Sequence, residues 1–522
     1  MSRPNILFLL SDEHSFRFMS RFSEMPFGEP VQTPSLDRLA ERSAEFMNAY
    51  CQMPLCTPSR LCLLTGREAR RAGAWTNGST LDPELTTLPQ CLGEAGYATC
   101  LVGKMHLGGC NQMAGFRDRP YGDLTGGTGH QGQEKPDWYE GSRFRWRIDN
   151  VGALEAPESV LQEHVVAQET IAWVREQRYR DPETPWFLCA SFSRPHFPLT
   201  APKRWLDEYP PEKITLPKAP AAGDSFHHPS CERLRKEFEV DALTQEETMR
   251  MRSGYFACVS YLDEILGDLL DRLERSGDLD NTVIVYTSDH GELAGEHGGW
   301  WKHSFHEASI RVPLILSMPS HRKGGKKSAR LETPVSLVDL FPTLCRLAGA
   351  AYPSDLDGRD LSESVLEGVE PESKPVVSDN LVPRWGAGAE FRMAREGRYK
   401  YVRFRSGSEL LFDLSGDPEE QKDLILRGMD EAAESALGKL RHFVETTMDF
   451  DAVERERVEW SHRLVEEYPL SNHNSHGNHY RMPDGSIVYA DGCFYSPDVI
   501  ADGMRDIVGD LEARTRDSAA KV

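Results

Sequence analysis

The sequence predicts an α/β fold: a large, mostly parallel sheet flanked by helices, followed by a smaller C-terminal α+β unit with an antiparallel sheet. Three observations lead there. Short apolar runs stop abruptly at polar clusters, segments of helical spacing alternate with them, and near residue 375 the pattern changes to short strands joined by turns. Continuous apolar runs suit strands buried on both faces, the situation of a parallel sheet between two helical layers.

The strands come first. The run 6 to 10 ends at Ser11-Asp12-Glu13, 98 to 102 at Gly103-Lys104-Met105-His106, 186 to 192 at Ser193-Arg194-Pro195-His196, and 282 to 287 at Ser288-Asp289-His290-Gly291. Ligands of such sheets bind beyond the carboxyl ends of the strands, so these four clusters are expected to converge. Helical spacing predicts crossovers over 35 to 46, 88 to 95, 159 to 178, 247 to 276 and 333 to 348. The stretches 111 to 157 and 202 to 229 lack periodicity and read as insertions around the mouth of a site. Strands are then expected over 391 to 393, 399 to 403 and 409 to 414, with a helix from about 429 to 447. The domain expectation is 1 to 375 catalytic, 376 to 448 a small α+β domain, and 449 to 522 an extension with no clear period before 499 to 511.

The chain has 522 residues, 39% hydrophobic and 27% charged, as in an ordinary globular protein. Acidic residues outnumber basic ones 82 to 60, a net charge of −22, which argues against nucleic acid or an anionic membrane as partner. No apolar stretch approaches the roughly 20 residues that cross a bilayer, and no secretory signal is expected ahead of the first strand. The 11 cysteines are scattered without a Cys-x-x-Cys pair. That excludes a disulfide framework and a zinc ribbon, and cytoplasmic localisation is expected.

The most informative run is Cys56-Thr57-Pro58-Ser59-Arg60, continued by Leu61-Cys62-Leu63-Leu64-Thr65-Gly66-Arg67. Proline sets a turn and the apolar stretch beyond reads as a helix, placing Cys56 near a helix N-terminus that favours an anion. Arg60 is either a fork holding charge beside Cys56 or an ordinary solvated arginine.

This extended run resembles the signature of the formylglycine-dependent sulfatases, and the likeness spans roughly residues 3 to 425. Leu411-Phe412-Asp413-Leu414-x-x-Asp417-Pro418-x-Glu420 is similar to the C-terminal part of that family. The resemblance implies an alkaline-phosphatase-like fold and conversion of Cys56 to formylglycine by a separate formylglycine-generating enzyme. The hydrated aldehyde has one hydroxyl to attack sulfur and a second to expel sulfate afterwards. It also implies a divalent cation held by Asp12, Glu13, Cys56 as formylglycine, Asp289 and His290. Hard oxygen donors point to Ca²⁺ first and Mn²⁺ second. Glu13 departs from the family's usual Asp or Gln, and His290 stands where Asn is common.

Carried over in the same way, Arg60 holds the hydrate while Asp289 takes its proton. Lys104 and His106 hold the hydrate and accept the second proton. His196 and Lys302 bind the sulfuryl oxygens and protonate the leaving alcohol. Phosphonate monoester hydrolases carry Tyr and Thr in place of Lys104 and His106, which favours sulfate. Asn77 is either a turn residue or a contact near the sulfuryl group, and His303 and His306 are placed toward the leaving group. His473, His476 and His479 either close over a site or form a solvated loop.

The expectation is therefore a sulfatase acting on small sulfate monoesters, with aryl sulfates as assay substrates and choline sulfate a lesser option suggested by residues 300 to 313. The alternatives are a phosphonate monoester or phosphodiester hydrolase and a non-catalytic binder of sulfated ligands. Trp460, Tyr468, Tyr480, Tyr489, Phe494 and Tyr495 lead to a homodimer or homotetramer as the expected assembly.

Overall fold

The computed structural model describes residues 3–108, 111–122, 138–154, 156–218, 223–323, 329–467, 479–481 and 487–489. Its frame is an eight-stranded sheet made from β1 (Asn5–Asp12), β2 (Ala44–Phe46), β3 (Ala98–Gly103), β4 (Asp118–Tyr121), β5 (Trp186–Pro195), β6 (Thr282–Ser288), β7 (Leu314–Ser317) and β8 (Ala329–Leu331), in the order β8-β2-β7-β6-β1-β5-β3-β4. From β6 through β4 every neighbouring pair is parallel, and β7 runs antiparallel to both β6 and β2. The four strands expected to deliver polar clusters are thus adjacent and point the same way.

Among the helices are α1 (Pro34–Ala40), α2 (Cys56–Thr65), α3 (Leu88–Glu94), α4 (Arg143–Asp149), α5 (Gln162–Arg180), α6 (Gln245–Arg275), α7 (Leu340–Ala348), α8 (Glu431–Thr447) and α9 (Phe450–Glu467). Strand β1 shows why its run must be wholly apolar. Ile6, Phe8 and Leu10 pack with Leu61, Leu64, Leu88 and Phe341 on one face, while Leu7 and Leu9 pack with Val166, Ile171, Leu262 and Leu266 on the other. Alternate side chains of one strand feed two cores, so neither face tolerates a polar residue.

Three expected elements differ. The helix expected over 35 to 46 stops at Ala40, and Ala44–Phe46 joins the sheet as β2. Ser43 Oγ–H donates to Leu39 O at 2.6 Å, and β7 and β8 supply strand partners that spacing alone does not reveal. The helix expected from 333 begins at Leu340, preceded by the short strand Val335–Ser336. The stretch after 449, read as aperiodic, contains α9, whose buried face carries Val453, Ser461 and Leu464. Trp460, expected on an assembly surface, packs on its own chain: Nε1–H donates to Asp82 at 3.1 Å, and its ring meets Trp75 edge-on at 6.3 Å. Tyr468, Phe494, Tyr495, His473 and His476 lie outside the described residues.

A second, antiparallel sheet follows, β9 (Val376–Asn380), β10 (Phe391–Glu396), β11 (Tyr399–Phe404) and β12 (Glu409–Asp413), backed by α8. Buried charge ties it to Glu307, at the start of the short helix Glu307–Ile310. Glu307 accepts from Lys400 Nζ at 3.1 Å and Tyr50 O–H at 2.8 Å, and Lys400 Nζ also reaches Glu420 at 2.5 Å. Burial would raise the Glu307 pKa, but Lys400, Arg395 and Arg311 outweigh it and hold it at about 2. Nine cysteines are buried free thiols among the described residues. Among those residues, too, no helix is long and apolar enough to cross a membrane.

Candidate active site

Every residue of α2 is buried, and its first residue is Cys56. The helix entry is fixed from outside: Asn77 Oδ1 accepts the Thr57 N–H at 3.1 Å, and the Thr57 hydroxyl donates to the carbonyls of Asn77 and His106. Asn77 therefore spends its side-chain oxygen on capping this helix, which answers for its place in the turn. His106 is brought beside residue 57 by its backbone.

Around Cys56 the ends of β1 and β6 and the loop before Glu307 supply the polar groups. His290 Nε2 stands 3.3 Å from Cys56 Sγ, Lys302 Nζ 3.2 Å, and Asp12 Oδ1 3.8 Å. Arg60 is completely buried and joins two strand ends, donating from Nη2 to Asp12 at 2.9 Å and from Nε to Asp289 at 2.8 Å. Its Nη1 donates to Lys104 O at 2.6 Å and Ser191 Oγ at 3.0 Å. The solvated reading of Arg60 is excluded. Lys104 Nζ, at the end of β3, lies 2.7 Å from Asp12 Oδ2. From the end of β5, His196 points Nε2 at Glu13 Oε2, 3.4 Å away, while Lys302 reaches the same oxygen at 3.3 Å.

Several site residues hold left-handed backbone that favours glycine: Glu13 (φ 67°), His106 (φ 53°), Trp301 (φ 69°) and His303 (φ 73°). Such a conformation costs on the order of 1–2 kcal/mol and persists when its surroundings fix it. At Glu13 they do, since its N–H donates to Asp289 Oδ1 at 3.1 Å and its carbonyl accepts from Tyr255 O–H at 2.6 Å.

The electrostatics are those of mixed charge packed together in a buried site. Burial would raise Asp12, yet Lys104, His196, Arg60 and Lys302 hold it well below the usual carboxylate range. Burial raises Glu13 to about 7 against the pull of Lys302 and His290. Burial and Asp12 oppose ionisation of Cys56, but Lys302, His290 and Lys104 prevail and depress its pKa well below that of a free thiol. Burial would lower His290, but Asp289 lifts it to about 9.

These donors fit a divalent cation. Asp12, Cys56, Asp289 and His290 each bring one ligand atom within 4.8 Å of the others, and Asp12, Glu13 and His196 form an overlapping group. Glu13 Oε1 is buried with no hydrogen-bond partner among the described residues. His290 Nδ1–H donates to Gly291 O at 2.9 Å, which leaves Nε2, the nitrogen facing Cys56, with its lone pair available to a metal.

The two histidines expected toward the leaving group have other ring partners. The ring of His306 stacks on His297 at 3.7 Å and bonds Ser304 and Ser225 at 2.6 and 3.0 Å. His303 sits in an aromatic slot between Phe238 (5.6 Å) and Trp385 (5.7 Å). Sequence reasoning missed Ser191 and Glu292. Buried Glu292 accepts the Ala294 and Trp301 N–H groups at 2.8 and 2.6 Å, fixing the loop that carries Lys302. Its place three residues after Asp289 was the available signal.

A doubly flanked, largely parallel sheet with Cys56 at a helix N-terminus and a cluster of side chains that could hold a cation at the strand ends is the arrangement of the alkaline phosphatase superfamily. The sulfatase family model matches residues 4–350, and the C-terminal model of N-sulphoglucosamine sulphohydrolase matches 295–443. The chain belongs to the sulfatase family of sulfuric ester hydrolases. It is 33% identical to a choline-sulfatase of Rhizobium meliloti (strain 1021), covering 87% of this chain and 89% of that one. It is 27% identical to arylsulfatase K of Bos taurus, covering 84% and 82%. In fold it is similar to the phosphonate monoester hydrolase of Agrobacterium radiobacter, with TM-score 0.67, 24% identity and coverage of 87% and 96%.

Proposed function

We propose that the protein is a formylglycine- and cation-dependent hydrolase of small sulfate monoesters, aryl sulfates among them. The observation carrying this reading is the position of Cys56, at the start of α2 with Lys302 and His290 at 3.2 and 3.3 Å. As formylglycine, residue 56 supplies a geminal diol in place of the thiol. A divalent cation among Asp12, Glu13, Asp289 and His290, Ca²⁺ by the oxygen donors, supplies positive charge for the diol and the sulfuryl oxygens.

The chain's own side chains do the rest. Arg60 locks Asp12 and Asp289 at fixed separation, so the diol meets preorganised groups rather than mobile ones. Asp289 is the base for the attacking hydroxyl. His196 and Lys302, both aimed at Glu13 Oε2, lie where a leaving oxygen in line with residue 56 would need a proton. Lys104 and His106 serve the second hydroxyl when sulfate leaves. The choline-sulfatase relative adds a cationic alcohol to the substrates worth testing. A panel of sulfate, phosphate and phosphonate esters tests the reading, with sulfate esters expected to lead in kcat/KM and a phosphonate lead refuting it.

A further inference from the structure

Helix α4 carries three arginines, and among the described residues only one of them forms an ion pair. Arg145 pairs with Asp149 at 2.7 Å and with Glu247. Arg143 and Arg147, one turn apart on the same face, form no ion pair or hydrogen bond among the described residues, and the half-buried Arg147 has its Nε shut away without an acceptor. Like charges at this spacing destabilise a short helix. A third guanidinium joins them. Arg143, Arg147 and Arg384 lie 5.7, 5.3 and 5.6 Å from the centroid of the Phe144 ring, and among the described residues the ion pair of this group is that of Arg384 with Glu237, at 3.6 Å. Arg143 and Arg147 thus stand without an ion-pair partner among the described residues, in a chain whose net charge is −22.

The cluster borders the leaving-group side of the site. Arg147 lies 3.7 Å over the ring of Phe197, the neighbour of His196, and 5.9 Å from the ring of Trp301, the neighbour of Lys302. Lys302 Nζ is 5.5 Å from that same Phe197 ring. Burial, with Arg143 and Arg384 beside it, pulls Arg147 down to about 9, and Glu13 and Cys56 pull the other way, so its charge and theirs act on one another.

We infer that Arg143, Arg147 and Arg384 form a subsite for a second oxyanion, a carboxylate or a further sulfate, carried by the alcohol half of the substrate. An oxyanion there satisfies the fork of Arg147, which planar two-point recognition suits. A quaternary ammonium finds the aromatic faces of Phe197 and Phe144 already covered by guanidinium and meets repulsion. The inference rests on the sulfatase reading and narrows its substrate.

The test compares kcat/KM on 3-methylphenyl sulfate with the same ester bearing carboxymethyl, sulfomethyl or trimethylammoniomethyl in place of methyl; the methylene insulates the leaving oxygen from the charge. At least tenfold preference for an anionic ester over the neutral one is expected, with the cationic ester poorest, and the preference should shrink as salt rises. The two anionic arms tell carboxylate from sulfonate recognition. Arg147→Ala should lose at least tenfold more on the preferred anionic ester than on the neutral one, and Arg147→Lys, with a point charge in place of the fork, should lie between. Equal rates across charges, or equal losses in Arg147→Ala on all esters, overturn the subsite while leaving the sulfatase reading intact. Failure to cleave any of the four esters overturns both.

Discussion

His196 and Lys302 approach one carboxylate oxygen at 3.4 and 3.3 Å, and in the proposed mechanism the two share stabilisation of the departing oxygen. Removing one leaves the other in reach. His196→Ala should therefore cost about 10²-fold in kcat/KM on phenyl sulfate, whose leaving group has a pKa of about 10, the low end of general acid catalysis. That is about 3 kcal/mol of transition-state stabilisation. The double variant His196→Ala/Lys302→Met should approach 10⁴-fold, because no second donor remains. On a nitrophenyl sulfate the loss should be much smaller, since that phenolate tolerates its own charge and gains less from a proton. The assay is log kcat/KM against leaving-group pKa for a series of phenyl sulfates, with a steeper slope expected in His196→Ala. Losses of one size across the series would refute the acid role and place His196 on the sulfuryl oxygens.

Three further outcomes follow from the site and its supports. Cys56→Ser should be sulfated once and then stall, because serine lacks the second hydroxyl; intact mass should show the trapped ester, and a quantitatively free Cys56 thiol in active wild-type protein would refute the mechanism. Stripped of its cation, the protein should lose stability as pH rises from 5 to 9. Glu13, raised from 4.5 to about 7, and His290, raised from 6.5 to about 9, each favour the protonated folded state, and that gain is full below the unfolded pKa and gone above the folded one. Thermal unfolding with a chelator should show the decline, and added Ca²⁺ should flatten it; a chelated protein insensitive to pH over this range would contradict the site. Lys400→Met should destabilise by about 3–5 kcal/mol, measured by denaturant unfolding, because it leaves Glu307 and Glu420 as buried neighbours without their shared cation.

Much of this was legible in the sequence for a physical reason. Strands buried on both faces leave an unmistakable apolar run, and the polar residues that stop them fall at the sheet's ligand-binding edge, so the clusters holding Asp12, Lys104, His196 and Asp289 were expected together, while the roles given to these residues came from the family resemblance. What depends on distant partners was not legible. Ala44–Phe46 becomes a strand only because β7 and β8 flank it. The apolar face of α9 is diluted by charged residues that bond Arg70 and Asp82. The orientation of His306 was hidden too, since a histidine near a catalytic lysine has no sequence mark telling whether its ring faces substrate or stacks on His297. Arg147 lies in the stretch 111 to 157 that reads as an insertion, and its approach to Phe197 and Trp301 joins residues far apart in the chain.

The buried contact of Glu307 with Lys400, Tyr50 and Arg395 ties the loop that carries Lys302 to the second sheet from behind. The proton donor of the proposed mechanism, Lys302, is thus held at one end beside Cys56 and anchored, five residues on, to the strands of the second sheet. Exchange of the second sheet between relatives, as a route to new specificity, would therefore fail unless the cations matching Glu307 travelled with it. Such a chimera would have every reacting group present and a slack loop where its acid should be.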